Sequence, residues 1–357
     1  MNNSTSAGDT TGRRDVYVGF TVVIFIFGLL GNTLVIAVLG KKKKRSIHEM
    51  FVLNLALADG LFLLLRLPLY VYEKYLTIYK TDAYCRIMIL LHTIFYFISI
   101  FTITAMAIYR CYVIVNPYNR TKLTPKTGYR IIGFVWFASF IIVLPIAVVS
   151  VSKGTECDEK WFHSSHADIY TAALFVLQFL LPLSIIAVAY IKIGVFLVLH
   201  KAPQSSPGKN SKREKRRKEN KQVIMTLAVI VILFTICLLP GQIAWMVDAF
   251  GSPDREKINV VYDASIILDF IHACVNPVIY ALLTDSYRKG YKDVITKVIS
   301  CGRASITPDL ESSINMHPDH GSNENENKPT AQVTVDENIN RSSAYNVPSS
   351  SQLDYKF

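Results

Sequence analysis

The sequence predicts an all-α membrane protein: a seven-transmembrane helix bundle with a short amphipathic helix after the seventh span. Three observations carry that expectation. The 357 residues are 51% hydrophobic and only 18% charged, with a mean hydropathy of +0.30. The apolar residues come in seven long blocks, where a soluble chain would alternate them with polar ones. Basic residues concentrate in alternate connections between the blocks, the charge bias of a multi-pass protein.

Residues 1–16 read as an extracellular N-terminal segment, with overlapping glycosylation sequons at Asn2 and Asn3. The bundle is expected over 17–283. Tyr17 to Gly40 contains no charged residue, and its length suits a helix crossing roughly 30 Å of hydrocarbon. Further spans are expected at Ile47–Tyr72, Cys85–Val115, Arg130–Val151, Ile169–Leu199, Gln222–Phe250 and Ile258–Leu283. Helices are the expectation because backbone in lipid must satisfy its own hydrogen bonds. No cleavable signal peptide is evident, so the first helix is expected to direct its own insertion.

Lys41–Arg45 is a run of five basic residues, and His200–Lys221 holds nine Lys or Arg. The positive-inside rule then predicts a plasma-membrane protein with its N-terminus extracellular and its C-terminus cytoplasmic. The net charge of +11 is accounted for by those loops, so nucleic acid is not an expected partner. After the last span, 284–301 places Tyr287, Tyr291, Val294, Ile295, Val298 and Ile299 on one helical stripe. That stripe predicts an amphipathic helix lying on membrane lipid, with Cys301 a palmitoylation candidate at its end. Residues 302–357 are rich in Ser, Asn, Glu and Pro and read as a disordered cytoplasmic tail.

Cysteine usage fits the same topology. Cys111, Cys237 and Cys274 fall in or at the ends of spans and read as reduced packing residues. Cys85 and Cys157 are the two on the outer, oxidising side, and a bridge is expected between them.

The polar residues inside the spans carry a resemblance. Asn32 follows Gly31, "NLALAD" ends on Asp59, and the third span runs to Arg110 in "AMAIYRCYVIVNP". Trp136 lies in the fourth, Pro182 and Tyr190 in the fifth, Phe234, Cys237 and Pro240 in "FTICLLP", and Asn276, Pro277 and Tyr280 in "NPVIY". In this order, one set per span, they resemble a rhodopsin-class G-protein-coupled receptor from about Phe20 to Cys301. "FVLNLALAD" with "LPLYV", and "YTAALFVLQFLLPLSIIAVAYIKI", are similar to the somatostatin, opioid, galanin and allatostatin group of peptide receptors.

The resemblance implies roles. Asp59, Ser99 and Asn276 match the cluster that holds an allosteric sodium ion; a water-bridged structural cluster is the alternative, since an ionisable group in mid-membrane needs a partner either way. No other cofactor is expected. Ile100, Pro182, Phe234, Leu238, Pro240, Asn276 and Pro277 match positions that transmit activation. Arg110, Tyr109, Tyr118, Tyr190 and Tyr280 match positions that couple to a heterotrimeric G protein. Arrestin and receptor kinases are the implied partners of the tail.

Three departures stand out. The residue before Arg110 is Tyr109, and the sixth-span position that often supplies a second acid is Asn220, so neither usual restraint on the arginine is present. Leu238 replaces a usual tryptophan. His272 stands where the sodium cluster commonly has asparagine, and reads as an ion ligand, a neutral hydrogen-bond donor or a proton-sensitive switch. Raised basal activity is the expectation from the three together.

His92 lies about 27 Å outward from Arg110 on one helix, where amine receptors carry an aspartate, and Phe270 stands at the retinal lysine's place in opsins. Neither ligand class is therefore expected. Arg66 and Asp269 point into the outer half, either paired with each other or meeting charged ligand groups. With His92, Gln178, Gln242, Trp245 and Asp248 they are the expected ligand-binding residues, and acids around the mouth, Glu73, Asp168, Asp248, Asp254 and Asp263 among them, favour a cationic or amidated peptide. A receptor for a small non-peptide ligand and a decoy or arrestin-only receptor remain as alternatives. A channel or transporter would show internal repeats, and an enzyme a nucleophile elbow, metal-ligand spacing or phosphate loop; none is evident.

Overall fold

The computed structural model describes residues 4–116, 123–199, 210–251 and 254–306; for 4–17, 74–75, 210–220, 255 and 301–306 only the backbone is described. Among the described residues, seven helices are long and apolar enough to cross a membrane. They are α1 (Ser4–Gly40), α2 (Ile47–Tyr75), α3 (Asp82–Val115), α4 (Pro125–Val149), the pair α5 (Ser164–Phe175) and α6 (Leu181–Leu199), α7 (Asn210–Phe250) and α8 (Arg255–Leu283). α9 (Asp285–Ile306) follows at once.

The caps explain where several helices begin. Ser46 and Glu49 form a reciprocal capping box at the start of α2, each side chain taking the other's backbone N–H. Thr81 caps α3 through the Tyr84 N–H at 3.2 Å, and Asp254 caps α8 through the Glu256 N–H at 3.1 Å. Pro125 opens α4 at its first position, where the missing N–H costs nothing.

Between α5 and α6 the chain runs through one π-helical turn, Val176–Leu180. Pro182 is the physical reason. It has no N–H for the Gln178 carbonyl, and its ring would press on that carbonyl. Winding in an extra residue relieves both, and the Leu181 N–H reaches back five residues to Val176.

α1 packs on α2 and α8, α3 on α2, α4 and α6, and α7 on α8. The core between them is apolar, with Phe51, Ile100, Met106, Phe234 and Tyr280 almost fully buried. Outward faces are equally apolar: Phe27, Phe134, Phe137, Leu199 and Ile232 are all well exposed, which fits lipid rather than water as the solvent.

Beyond α4 lies a hairpin that the sequence did not announce, β1 (Ser150–Lys153) and β2 (Glu156–Glu159), paired antiparallel. Gly154 turns it with φ 73°, a left-handed conformation that glycine adopts without strain. Cys157 on β2 is disulfide-bonded to Cys85 on α3, as expected. Hydrogen bonds from Lys80 N–H to the Gly154 carbonyl (2.8 Å) and from Ser152 N–H to Asp82 (2.7 Å) pin the hairpin to the start of α3. On the hairpin Asp158 is held below the usual carboxylate range by the Glu159 N–H, then by Lys153.

Two boundaries differ from expectation. α1 is helical from Ser4, through most of the N-terminal segment set apart from the bundle, its apolar part starting at Val18. α9 continues past Cys301 to Ile306. Tyr287 and Tyr291 are buried against the bundle, while Ile295, Val298 and Ile299 are exposed, so the apolar stripe divides between a docking half and a free half. Gly290 makes the docking close: a Cβ there would lie 2.7 Å from Val38 of α1.

Candidate functional site

The interior polar side chains form three linked groups along the bundle. At the disulfide-bearing end, the Gln178 amide donates to Gln242 (2.9 Å) and the Gln242 amide donates to the Tyr96 hydroxyl (3.3 Å). This joins the π turn, α7 and α3. Because Gln178 sits inside that turn, Pro182 decides where its amide points.

His92 packs against Phe62, ring centroids 5.6 Å apart, and Phe62 against Phe270 at the same separation. Trp245 packs on the cluster of Phe97, Val143 and Leu174. Asp248 accepts from the Tyr262 hydroxyl at 3.3 Å.

Arg66 is 3.5 Å from Glu73, its own helix neighbour two turns on, and Lys80 is 3.4 Å from the same carboxylate. Tyr84 also donates to Glu73, at 2.7 Å. An Arg66–Asp269 ion pair, one of the two sequence readings, is therefore replaced by an Arg66–Glu73–Lys80 cluster.

Mid-bundle, Asp59 is buried and accepts from Ser99 (2.9 Å) on one oxygen and from Asn276 (2.7 Å) on the other. Asn32 ties α1 to α8 by donating to the carbonyls of Gly28 and Ala273, both at 2.9 Å. Trp136 donates to Asn54 and Asn54 donates to Thr102, both at 2.8 Å, linking α4, α2 and α3. Phe234 meets His272 edge to face at 5.3 Å, and the His272 Nε2 is buried with no hydrogen bond.

A small cavity opens at this level. Asp59, Ser99, Asp269 and His272 supply its polar lining, and Phe62, Phe95, Tyr96, Phe234, Leu238 and Ala273 the rest. Leu238 bears directly on its size, since a larger side chain there would fill it.

At the α9 end, the Arg110 guanidinium lies 5.7 Å from the Tyr109 ring centre, and that ring meets Phe51 edge-on at 6.1 Å. Tyr280 stacks on Tyr287 at 5.2 Å, and Tyr291 donates to the Pro277 carbonyl at 3.3 Å. Burial pushes the Tyr287 and Tyr291 hydroxyls up from the ordinary tyrosine range. The Tyr190 hydroxyl is buried and makes no hydrogen bond. Gln222 donates to Asp285 (3.0 Å), joining the inner part of α7 to the start of α9.

The model of the seven-transmembrane receptor family, rhodopsin family, matches residues 31–280. The chain belongs to that family. It is similar to the somatostatin receptor type 2 of Sus scrofa, 30% identical over 335 residues that cover 88% of this chain and 87% of the relative. It is also similar to the galanin receptor type 1 of Mus musculus, 31% identical over 283 residues (76% of this chain, 79% of the relative). The QRFP-like peptide receptor of Branchiostoma floridae is 30% identical over 317 residues (83% and 82%). As a member of that family the chain is a multi-pass membrane receptor and not an enzyme.

In the receptor, Asp59, Ser99 and Asn276 come together as the resemblance implied, and Ile100, Phe234 and Leu238 share one buried cluster. Of the seven ligand-binding candidates, Asp269 alone lines the cavity; Gln242 adjoins it through Tyr96, with Gln178 behind it. Tyr96 was missed, although His92, Tyr96 and Ser99 stand four and three residues apart on one helix face. Glu73 was counted only as a mouth acid; its offset of seven residues from Arg66 was the available signal. Asn2, Asn3 and Tyr118 lie outside the described residues, as do the side chains of Asn220 and Cys301.

Proposed function

We propose that this receptor sits in the plasma membrane with its N-terminus and disulfide outside, binds an extracellular peptide, and activates a heterotrimeric G protein from its α9 end. The observation that carries the peptide reading is that the somatostatin, galanin and QRFP-like relatives, all peptide receptors by name, match this chain over three quarters or more of its length. The ligand would enter beside the hairpin and meet His92, Arg66, Gln178, Gln242, Trp245, Asp248 and Asp269. Its push would pass through Ile100, Phe234, Leu238 and the prolines Pro182, Pro240 and Pro277 to Arg110, Tyr118, Tyr190 and Tyr280. Arrestin and receptor kinases would act on the tail, α9 would rest on membrane lipid with Cys301 acylated, and Asn2 and Asn3 would carry glycans.

A sodium ion fits the Asp59 cluster. A carboxylate and a hydroxyl oxygen face the cavity, the hard oxygen donors such a cation takes. When bound it would supply the positive charge that a buried carboxylate lacks, and Asp59, Ser99 and Asn276 would hold it.

Raised basal activity is the second part of the proposal. Tyr109 offers Arg110 a ring face instead of a carboxylate, and an exposed or half-buried cation–π contact is worth about 0.5–1 kcal/mol against about 1.5–3 kcal/mol for a charge-assisted hydrogen bond. Tyr109→Asp should therefore lower ligand-free G-protein activation about tenfold, and Arg110→Ala should abolish it, at matched surface expression. An unchanged signal in Tyr109→Asp would sink the idea; a peptide screen with both G-protein and arrestin readouts tests ligand class and separates a coupled receptor from a decoy.

A further inference from the structure

We propose that Asp269 is the counter-ion for a cationic group, an ammonium or guanidinium, that the ligand inserts into the cavity between Asp269 and His272. This rests on reading the chain as a ligand-activated receptor and names the chemistry of its deepest contact.

Asp269 lines the cavity yet has no hydrogen bond or ion pair with any described residue. A carboxylate inside a membrane protein is costly to leave alone and marks a ligand or a partner. Arg66 forms its ion pair with Glu73, at 3.5 Å, in a cluster with Lys80 and Tyr84, so it acts on Asp269 by its charge and not through an ion pair.

A second group faces the same space. His272 stands one turn along α8 from Asp269, lines the cavity, is 7% exposed and leaves Nε2 without a partner. A neutral imidazole nitrogen accepts a hydrogen bond, so an ammonium or guanidinium N–H could serve Asp269 and His272 together. Phe62, Phe95, Tyr96 and Phe234 present aromatic surface around that position, which complements a cation and penalises an anion.

Asp59 is also a carboxylate on this cavity, but both its oxygens already accept hydrogen bonds, from Ser99 and Asn276. Asp269 is the end with unmet capacity. The ligand's cation would come from a lysine or arginine side chain or an amino terminus.

The test uses the purified full-length receptor and methylguanidinium as probe, with its neutral isostere N-methylurea at equal ionic strength as the control. Methylguanidinium should raise the thermal midpoint saturably, by about 2 °C or more. The rise should vanish in Asp269→Asn, which keeps the shape and removes the charge, and in Leu238→Trp, which fills the cavity. It should persist in Asp59→Asn. Each variant's midpoint without probe shows that it is folded. Any other pattern overturns the proposal; loss in Asp59→Asn with retention in Asp269→Asn would move the cation to Asp59. The readout needs no natural ligand, so a failed peptide screen leaves it standing and its own failure leaves the peptide reading untouched.

Discussion

Trp136 shows how one side chain can hold three helices. Its indole N–H donates to Asn54, whose amide donates to Thr102. Trp136→Phe keeps the apolar bulk of the ring and leaves the Asn54 oxygen without its donor in a dry interior. The expected cost is about 1–3 kcal/mol, read as a lower thermal midpoint in detergent, with ligand-free signalling per folded receptor unchanged. A midpoint equal to wild type would mean that water replaces the indole. Arg66 is the contrasting case. Two acids were within reach of its long side chain, and choosing between them needed the rotation of α2 relative to α8.

At the scale of elements, the joint between α1 and α9 is a place of close packing. Gly290 lies so close to Val38 that any Cβ must displace it, while Tyr287 and Tyr291 are buried on either side. Gly290→Leu should lever α9 off the bundle, at a cost of about 1–3 kcal/mol by overpacking, measured as a lower thermal midpoint and faster proteolysis after Leu283. Unchanged proteolysis would show that α9 tolerates the shift. The π turn before Pro182 is the other local device. It re-aims Gln178 toward Gln242, and its presence follows from proline's missing N–H, although the sequence does not say which way the chain will relieve the conflict.

Across the whole molecule, the polar groups in mid-bundle tie α1, α2, α3, α4 and α8 to one another, so a cation among them should act on global stability. Asp59→Asn should abolish the rise in thermal midpoint that sodium chloride gives over choline chloride, because the uncharged amide has no excess charge to neutralise; a sodium effect that survives the substitution would place the ion elsewhere. By itself the sequence determined the seven spans, the Cys85–Cys157 pair, the Asp59–Ser99–Asn276 meeting and the amphipathic α9. The spans and α9 follow from length, hydropathy and helical spacing along single segments, the cysteine pair from the side of the membrane each cysteine faces, and the Asp59 meeting from the family resemblance. Tertiary structure alone decided the Arg66–Glu73–Lys80 cluster, the hairpin seated on α3, the Gln178–Gln242–Tyr96 chain and the cavity that leaves Asp269 open. Those depend on how far neighbouring helices rotate and approach, and hydrophobic periodicity fixes which face turns inward without fixing which inward residues touch.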